Sequence, residues 1–463
     1  MRKFDLNIEE ILDDWEVYHA IREVLANALD EQKITGTQEV KTYKDELGTW
    51  HIRDYGRGIQ EKHLTQNEDE EKLNRNDVIG KFGIGLKDSL AVFHRKGIEV
   101  EILSKYNKFT IGMSEKNGFE DIITLHVYVS EPKMSEMRGT DVRLKGIEDK
   151  GMNKAKNLFL EYSDEKILET TKYGQIIQRK NALPAKIYIN GLQISSEENF
   201  LFSYNITNLT DNIRKELNRE RNNLGRGTYA YRVKKILQAS KSEKIIDMIC
   251  TDFERIERGD HHDELGYKDL QTFAIKHINA NKNVVFLTKE EMEKGAGTID
   301  NIKRTERKIV QIPSRLSSET SGMTDVSGEK IWTGNHFLEK INDDFNYDFI
   351  NEEDLDPTER KTFKFTEKII AIFGNLPAVV KDIKIAKSLK QSSFGINNHG
   401  IWDPKEELII IEREQLKNLE NYSGTLIHEL IHAKTGKEDV TRDFELELTN
   451  IIGNLAYHLL KKT

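Results

Sequence analysis

Residues 20–32 read AIREVLANALDEQ, and their spacing predicts a helix with one apolar side and one polar side. The apolar side carries Ile21, Val24, Leu25 and Ala28. The polar side carries Glu23, Asn27 and Asp30, at spacings of four and three. A polar helix face is commonly only a solvated surface, so the segments that follow decide what it means.

Downstream, apolar and polar residues alternate in several short stretches, which predicts strands. These stretches are TWHIRDYG (49–56), IEVEILSKY (98–106), KFTIGM (108–113), ITLHVYV (123–129) and RGTDVRLKG (138–146). Together with the first helix they indicate a sheet with helices on one face, an α+β sandwich of about 150 residues.

Two glycine-containing segments stand out in this region. RDYGRGI places Asp54 ahead of Gly56 and Gly58, where the backbone can turn sharply and approach a ligand, although a plain hairpin turn would use the same residues. VIGKFGIGLKDSL (78–90) leads through three glycines into a predicted helix, whose N-terminal N–H groups suit phosphates. A dinucleotide-binding fingerprint looks much the same, but no βαβ unit surrounds these glycines, which disfavours a Rossmann site.

In this order the segments resemble the GHKL family, which includes gyrase, the mismatch-repair MutL proteins, the ninety-kilodalton heat-shock chaperones and histidine kinases. The resemblance covers about the first 145 residues. It implies that Glu23 is the general base for an attacking water and that Asn27 holds the magnesium ion that bridges the phosphates of ATP. The other residues it implies are Asp54 at the adenine amino group, Gly56 and Gly58 beside it, Gly80, Gly83 and Gly85 in a flexible lid, Lys87 at a phosphate, and Thr140 at the end of the pocket.

Phosphoryl transfer depends on positioning and charge neutralisation, which these residues could supply. Histidine kinases lack a water-activating glutamate at this position, so Glu23 favours hydrolysis. In the gyrase and MutL branches a second domain supplies a lysine to the γ-phosphate. Residues 151–245 are predicted to be such a transducer-like α/β domain, with Lys215, Lys234 and Lys235 as open candidates.

Near the other end, SGTLIHELIHAKTG (423–436) contains the motif HExxH. On a helix, His428 and His432 lie four apart on one face and can share a metal ion, while Glu429 lies beside them to accept a proton. An exposed helix could carry this motif by chance, but the apolar context favours a site. The segment resembles zinc metallopeptidases of the zincin group, and the strand before it, ELIIIER (407–413), could be the edge strand that binds substrate backbone.

The third zinc ligand is predicted on the next helix, VTRDFELELTN (440–450). This resembles the zincin subgroup in which a later glutamate completes the site. Glu445 is the first choice and Glu447 the second, because both flank the predicted core stripe. The HExxHxxGxxH pattern has no third histidine here, which excludes a metzincin, and Gly436 is predicted to end the active-site helix as a C-cap.

Composition limits the other functions that this chain could have. No apolar run of the length of a membrane span occurs among the 463 residues, and the start, MRKFDLNIEEILDDW, lacks the features of a signal peptide. The single Cys250 agrees with a reducing compartment, so we expect a cytoplasmic protein. The formal charge of -9 does not imply nucleic-acid binding and does not exclude it.

The predicted fold class is therefore α+β in several domains: a GHKL α/β sandwich (1–150), a transducer-like domain (151–245), an α/β connecting region (246–329) and a mostly helical zincin-like domain (330–463). In the second, PAKIYINGLQI (184–194) predicts a strand followed by a glycine turn. The leading hypothesis is an ATP-regulated zinc peptidase that acts on a protein substrate, with an ATP-dependent homodimer left open. The alternatives are an ATP-driven clamp or chaperone with a structural zinc domain, and a stress or phage-defence effector.

Overall fold

The computed structural model describes residues 2–6, 14–65, 72, 75–80, 84–116, 118–132, 136–217, 224–343, 345–390, 398–439 and 441–461. The fold is mixed α/β with several sheets, which confirms the predicted multidomain mixture of helices and strands. Two compact units make up the chain: Met1–Phe253 with Asp260–Phe273, and Glu254–Gly259 with Ala274–Thr463. Across the described ranges, no helix is both long enough and apolar enough to cross a bilayer.

The N-terminal unit begins with a seven-stranded antiparallel sheet. Its strands are β1 (Arg2–Asp5), β2 (Lys41–Lys44), β3 (Trp50–Arg53), β4 (Glu99–Ser104), β5 (Lys108–Lys116), β6 (Phe119–Ser130) and β7 (Thr140–Lys145). Their order across the sheet is β1-β6-β5-β4-β7-β3-β2. Because Arg53 at the end of β3 pairs with Asp141 at the start of β7, Asp54 and Thr140 become neighbours.

The helices of this part are α1 (Val17–Thr35), α2 (Glu61–Thr65), α3 (Ile84–Arg95) and α4 (Asp149–Lys156). α1 packs against α3 and α4, and it ends at Gly36, whose φ of 63° reverses the chain. Side chains that are at most 1% exposed join α1 to the sheet: Ile21, Leu25, Ile52, Val127 and Leu144. The polar side of α1 is not a solvated surface, since Glu23 and Asp30 are each only 1% exposed.

A second sheet of the same unit has the order β11-β10-β12-β9-β8. Its strands are β8 (Ile167–Thr171), β9 (Gly174–Gln178), β10 (Ala185–Ile189), β11 (Leu192–Glu197) and β12 (Phe202–Ile206). β10 and β12 are parallel, and the other neighbours are antiparallel. The helices that follow are α5 (Asp211–Leu217), α6 (Arg226–Gln238), α7 (Glu243–Phe253) and α8 (Lys268–Asn281).

A buried carboxylate is hydrogen-bonded to the start of β12 in this second sheet. Glu264 is 3% exposed and accepts hydrogen bonds from the N–H of Leu201 at 2.8 Å, the N–H of Phe202 at 3.2 Å and the hydroxyl of Tyr204 at 2.8 Å. Burial raises the pKa of Glu264 to about 7, although these three donors favour the charged form.

The C-terminal unit contains a parallel pair, β13 (Val284–Leu287) and β14 (Lys308–Gln311), and a four-stranded sheet of order β15-β16-β18-β17. The strands of that sheet are β15 (Phe349–Ile350), β16 (Asp382–Ala386), β17 (Gly400–Asp403) and β18 (Leu408–Glu412). Its helices are α9 (Lys289–Lys294), α10 (Ala296–Arg304), α11 (Ser314–Thr320), α12 (Gly334–Asp343), α13 (Pro357–Phe363), α14 (Thr366–Phe373), α15 (Leu419–Thr435) and α16 (Arg442–Leu460). α15 packs against α14, α16, β17 and β18.

The strand order corrects one expectation. ELIIIER forms β18, which pairs with β16 on one side and with β17 on the other, so it is an interior strand and not an edge. Three consecutive isoleucines, Ile409, Ile410 and Ile411, are fully buried, as in a strand that is covered on both faces. The edge next to α15 is β17.

Glu264 gives the N-terminal unit a specific pH dependence. Between its ordinary pKa of 4.5 and about 7, the folded protein keeps a proton that the unfolded chain has released. The protonated Glu264 therefore stabilises the folded state fully below that range. As the pH rises through it, this contribution to the free energy of unfolding is lost, by up to roughly 3 kcal/mol. We expect the melting temperature to fall between about pH 5 and pH 8 by more in the wild type than in Glu264→Gln, which mimics the protonated carboxyl. Parallel curves of melting temperature against pH would contradict this assignment.

Candidate functional site

The polar side of α1 carries a buried ion pair at the predicted general base. Glu23 Oε1 accepts from Nε of Arg22 at 3.0 Å and lies 2.8 Å from its Nη2, and both side chains are at most 2% exposed. The Arg22 guanidinium also lies over the ring of Trp15, 5.2 Å from its centroid. Glu23 is thus held inside the protein by a positive charge.

One turn further along α1, oxygen atoms gather around a cation. Nζ of Lys72 donates to Oδ1 of Asn27 at 3.1 Å and to Oδ2 of Asp30 at 3.4 Å, and its side chain is only 13% exposed. The resemblance places magnesium at Asn27, so the structure puts a positive charge where a cation was expected. Sequence reasoning missed Lys72, which lies in a run of acidic residues without a motif.

The predicted adenine-binding residues also lie together. Asp54 Oδ1 accepts the N–H of Gly56 at 2.9 Å, and its own N–H donates to the carbonyl of Thr140 at 3.0 Å. The Thr140 hydroxyl bonds the Asp54 carboxylate and accepts the N–H of Ile59 at 3.1 Å. Burial raises the pKa of Asp54 above its ordinary value, and the hydrogen bond from Gly56 opposes this only in part.

Glycine is required at two positions beside Asp54. Gly139 has a φ of 72°, and a Cβ there would lie 2.2 Å from the carbonyl oxygen of Asp54. Gly58 has a φ of 85°, and its Cβ would lie 3.0 Å from the carbonyl oxygen of Gly139. The backbones thus meet without side chains between them. Gly139 was missed as a site residue, although a glycine directly before the strand threonine was a usable signal.

Glu31 joins α1 to the Asp54 loop. Its Oε1 accepts from the backbone N–H of Arg57 at 2.8 Å, and its Oε2 from Nη2 of Arg57 at 2.9 Å. A Cβ on Gly56 would lie 2.4 Å from Cγ of Glu31, so the absence of a side chain there makes room for this bridge. The two groups of predicted ATP-site residues are therefore tied to one helix.

The first residues of the glycine-rich segment are held by Asp30. Its two oxygens accept the N–H of Ile79 at 2.6 Å and the N–H of Gly80 at 2.8 Å. Gly83 lies outside the described residues. Gly85 is in the first turn of α3, where its carbonyl accepts the Ser89 hydroxyl at 2.6 Å. Lys87 follows on the same helix, and partial burial lowers its pKa.

The three lysines proposed to sense the γ-phosphate have different surroundings. Lys234 pairs with Asp269 at 2.7 Å, and Lys235 donates to Gln238 at 3.3 Å. Lys215 is exposed on α5. None of these contacts selects one lysine, and all three remain predictions.

In the C-terminal unit, α15 presents both motif histidines to one carboxylate. Nε2 of His428 and Nε2 of His432 are 3.1 Å apart, and Oδ1 of Asp439 lies 3.0 Å from the first and 3.2 Å from the second. These three ligand atoms are close enough to hold one metal ion. The ring of Phe444 covers the pair, with centroid distances of 4.9 Å to His428 and 4.7 Å to His432.

Gly436 brings Asp439 to the histidines. It ends α15 in the left-handed region, at a φ of 64°, as the predicted C-cap. The chain then turns back, and the carbonyl of Lys437 lies 2.7 Å from Nδ1 of His432. A carbonyl at Nδ1 fixes that nitrogen as the donor and leaves Nε2 to bind a metal.

The carboxylate that lies next to the two histidines is not the one predicted from the sequence. Glu445 is exposed on α16 and does not belong to the described cluster, while Glu447 accepts from Lys434 at 2.6 Å. The reversal at Gly436 delivers Asp439 before α16 begins, and α16 turns Phe444 towards the histidines instead. Among the described residues, Asp439 and not Glu445 is thus the carboxylate that lies with both histidines.

Glu429 connects this cluster to the edge strand. Its Oε2 accepts the backbone N–H of Trp402 on β17 at 2.8 Å, and it is 6% exposed. Burial raises the pKa of Glu429 to about 7, against the opposing charge of His432. A Cβ on Gly400 would lie 3.0 Å from Oε1 of Glu429. The carboxyl therefore lies between the histidine cluster and a strand edge.

Comparison with known proteins finds similar sequences in one organism. A family model described as Mycoplasma pneumoniae MPN635 N-terminal domain matches residues 150–243. An uncharacterized protein of Mycoplasma pneumoniae is 40% identical over 245 residues, which are 52% of this chain and 98% of that protein. A second uncharacterized protein of that organism is 25% identical over 362 residues, 72% of this chain and 98% of that protein. Their names assign no activity, so the chemistry has to be argued from the side chains.

The close approach at Gly139 leads to a test with a matched control. Gly118 also has a positive φ, 83°, but a Cβ there would meet nothing within 4 Å. Gly118→Ala should cost only the left-handed strain, roughly 1–2 kcal/mol. Gly139→Ala should cost about 1–3 kcal/mol more, because Asp54 and Thr140 must separate. Denaturant unfolding with hydrogen exchange resolved over β3 and β7 measures both, and equal losses would show that the contact is unimportant.

Proposed function

We propose that this chain, which belongs to the family of the 40%-identical Mycoplasma pneumoniae protein, is an ATP-regulated zinc peptidase. Its N-terminal sheet domain would be a GHKL-type ATP-binding domain and its C-terminal domain a zincin-type peptidase domain. The convergence of His428, His432 and Asp439 beside the buried Glu429 is the observation that carries the proposal.

The N-terminal residues fit a nucleotide. Asp54 offers a buried carboxylate as a hydrogen-bond acceptor, and Gly58 and Gly139 leave a cradle that a Cβ would fill. Asn27 and Asp30 offer oxygens that already attract the ammonium of Lys72. Magnesium, when bound with ATP, would neutralise phosphate charge there. Asp54 would orient the base, and the N–H groups of the glycine-rich segment would contact the phosphates.

Hydrolysis of ATP would require Glu23 to act on a water. Its Oε1 is paired with the guanidinium of Arg22, so this oxygen would have to exchange that ion pair for the water in order to accept its proton. We therefore assign ATP binding to Asp54, Thr140 and the glycines, and the hydrolytic step to Glu23 alone.

The C-terminal residues fit zinc, because two imidazoles and a carboxylate are a usual three-residue set for a catalytic zinc ion. Zinc, when bound, would polarise the carbonyl of a peptide bond. Glu429 would take up and return a proton, while the N–H of Trp402 holds its Oε2 in place. The edge strand β17 would receive the backbone of a protein substrate by strand addition, through backbone groups other than the N–H of Trp402. ATP-dependent pairing of two subunits belongs to the same proposal.

ATP binding should depend on Asp54. In Asp54→Asn one of the two carboxylate oxygens becomes an NH2 group. The side chain then has a single oxygen for the Gly56 N–H and the adenine amino group, so we expect the affinity for ATP to fall by about 10–100-fold. Asp149→Asn, an exposed residue paired with Lys44 at 2.7 Å, is the matched control and should bind as the wild type does. Calorimetric titration of the full chain measures both, and unaltered binding by Asp54→Asn would remove this assignment.

Zinc content should identify the third ligand. Asp439→Ala removes a direct ligand and should lower the affinity for zinc by more than the roughly 10–100-fold that the loss of an outer-shell partner costs, whereas Glu445→Ala should leave it unchanged. His428→Ala should lose zinc altogether, and His399→Ala, which removes an exposed histidine bonded to Glu412 at 3.1 Å, should retain it. Competition with a chromophoric chelator gives these affinities. Loss of zinc in Glu445→Ala with retention in Asp439→Ala would restore the choice made from the sequence.

Glu429 separates the peptidase from the alternative, an ATP-driven clamp with a structural zinc ion. Glu429→Gln should keep the zinc ion and lose peptide cleavage by at least about 100-fold. A protein that hydrolyses ATP and shows no Glu429-dependent cleavage would be the clamp. Equal cleavage with and without ATP would mean that the two sites work independently.

A further inference from the structure

The segment of residues 76–80 leads into the glycine-rich segment and has no regular secondary structure. Its backbone is held by side chains from outside. Nδ2 of Asn190 donates to the carbonyl of Asn76 at 2.9 Å and to the carbonyl of Val78 at 2.8 Å. Asn190 lies in the turn between β10 and β11, so a turn of the second sheet meets this irregular segment.

α1 holds the same segment from its own side. Nζ of Lys33 donates to the carbonyl of Asp77 at 2.6 Å, and Asp30 accepts the N–H groups of Ile79 and Gly80. Three consecutive carbonyls and two consecutive N–H groups are therefore satisfied by side chains, and Asn190 supplies two of these five bonds. The position of Gly80 beside Asp30 and Asn27 depends on them.

Asn190 is itself fixed in an uncommon conformation. Its φ of 47° is in the left-handed region, which costs free energy for a residue other than glycine. Its N–H bonds the carbonyl of Ile206 at 3.0 Å, and the next N–H, of Gly191, bonds Oδ1 of Asn205 at 2.9 Å. The second sheet thus presents the Asn190 amide rigidly to the segment.

A cavity lies beside the contact between Asn190 and residues 76–80. A cavity of about 530 Å³ is lined by Asp30 and Ile79 on one side and by Asn190 and Asn205 on the other. Val78 is buried and Ile79 packs against the core, so apolar contacts hold these two side chains, while the hydrogen bonds fix the backbone groups of the segment beside the cavity.

We propose that Asn190 is a positioning residue of the nucleotide site, through which the domain that contains residues 150–243 controls the glycine-rich segment. This inference rests on the proposed ATP function. Asn190 does not touch the nucleotide. It holds Asn76 and Val78, these place Gly80 at Asp30, and Gly80 begins the segment that contacts phosphate. Movement of the second sheet would then change ATP affinity, and ATP binding would move the second sheet.

Two substitutions separate the side-chain bonds from the backbone conformation. Asn190→Gly keeps the left-handed turn and removes both donors. Asn190→Asp keeps the size of the side chain but replaces the NH2 donor with a carboxylate oxygen, which repels the carbonyls of Asn76 and Val78. Asn199→Ala is the control, because Asn199 also bonds a distant segment, at 2.8 Å to Asp263 and 3.2 Å to the carbonyl of His261, away from residues 76–80.

The experiment measures ATP affinity of the full chain by titration, hydrogen exchange at the N–H groups of Ile79 and Gly80, and the melting temperature. We expect Asn190→Gly to weaken ATP binding by about 3–10-fold and Asn190→Asp by about tenfold or more, with faster exchange at both N–H groups. Asn199→Ala should change only the melting temperature.

The outcomes distinguish this inference from the proposed function. ATP affinity and exchange as in the wild type for both Asn190 variants overturn the inference, while the ATP site stands. A wild-type protein that binds no ATP overturns the proposed function. In that case exchange still decides whether Asn190 positions the segment, since unchanged exchange at Ile79 and Gly80 would refute it.

Discussion

The N-terminal site depends on the buried carboxylate of Asp30. Burying a charge is costly unless partners compensate for it, and desolvation raises the pKa of Asp30 despite the nearby Lys72. Lys72 and the N–H groups of Ile79 and Gly80 compensate for this cost. Their bonds to Asp30 hold these three groups in place. Asn27 shares Lys72, and Asn190 holds the carbonyls just before Ile79. Asp30 thus links Lys72 to the start of the glycine-rich segment, and Asn190 joins the residues just before Ile79 to the second sheet.

The C-terminal site is built by a comparable constraint, a turn that delivers a carboxylate. Gly436 reverses the chain after α15, and Asp439 then meets both imidazoles within 3.2 Å. Phe444 from α16 covers the rings, and the carbonyl of Lys437 holds the far nitrogen of His432. The motif brings together two of the three side chains that could hold a metal ion, and the turn adds the third.

Local sequence patterns predict the helices and strands, but they do not predict which residues contact one another across the fold. The period of residues 20–32 predicts α1, and the motif helix ends at Gly436 as expected, because both are decided by near neighbours. Asn190 could be placed in a turn, but its bond to Val78, 112 residues away, depends on how the second sheet packs against an irregular segment. Lys72 had no motif around it, and the interior place of β18 depends on strand order, which an apolar run does not reveal. Helix periodicity led to Glu445 and Glu447 and did not consider Asp439, whose approach to the histidines follows from the left-handed Gly436.

The two proposed general bases are buried to a similar degree but have different partners, and this bears on how the two reactions could be controlled. Glu23 is paired through Oε1 with a guanidinium, a partner with a full positive charge, so displacement of Arg22 would free this oxygen. Glu429 is held by one backbone N–H on Oε2, and its carboxyl lies next to the histidine pair. As a general base, Glu23 would therefore be limited by its ion pair, whereas Glu429 would not. A chain with these two sites would regulate the first by conformation and the second by access of the substrate to β17.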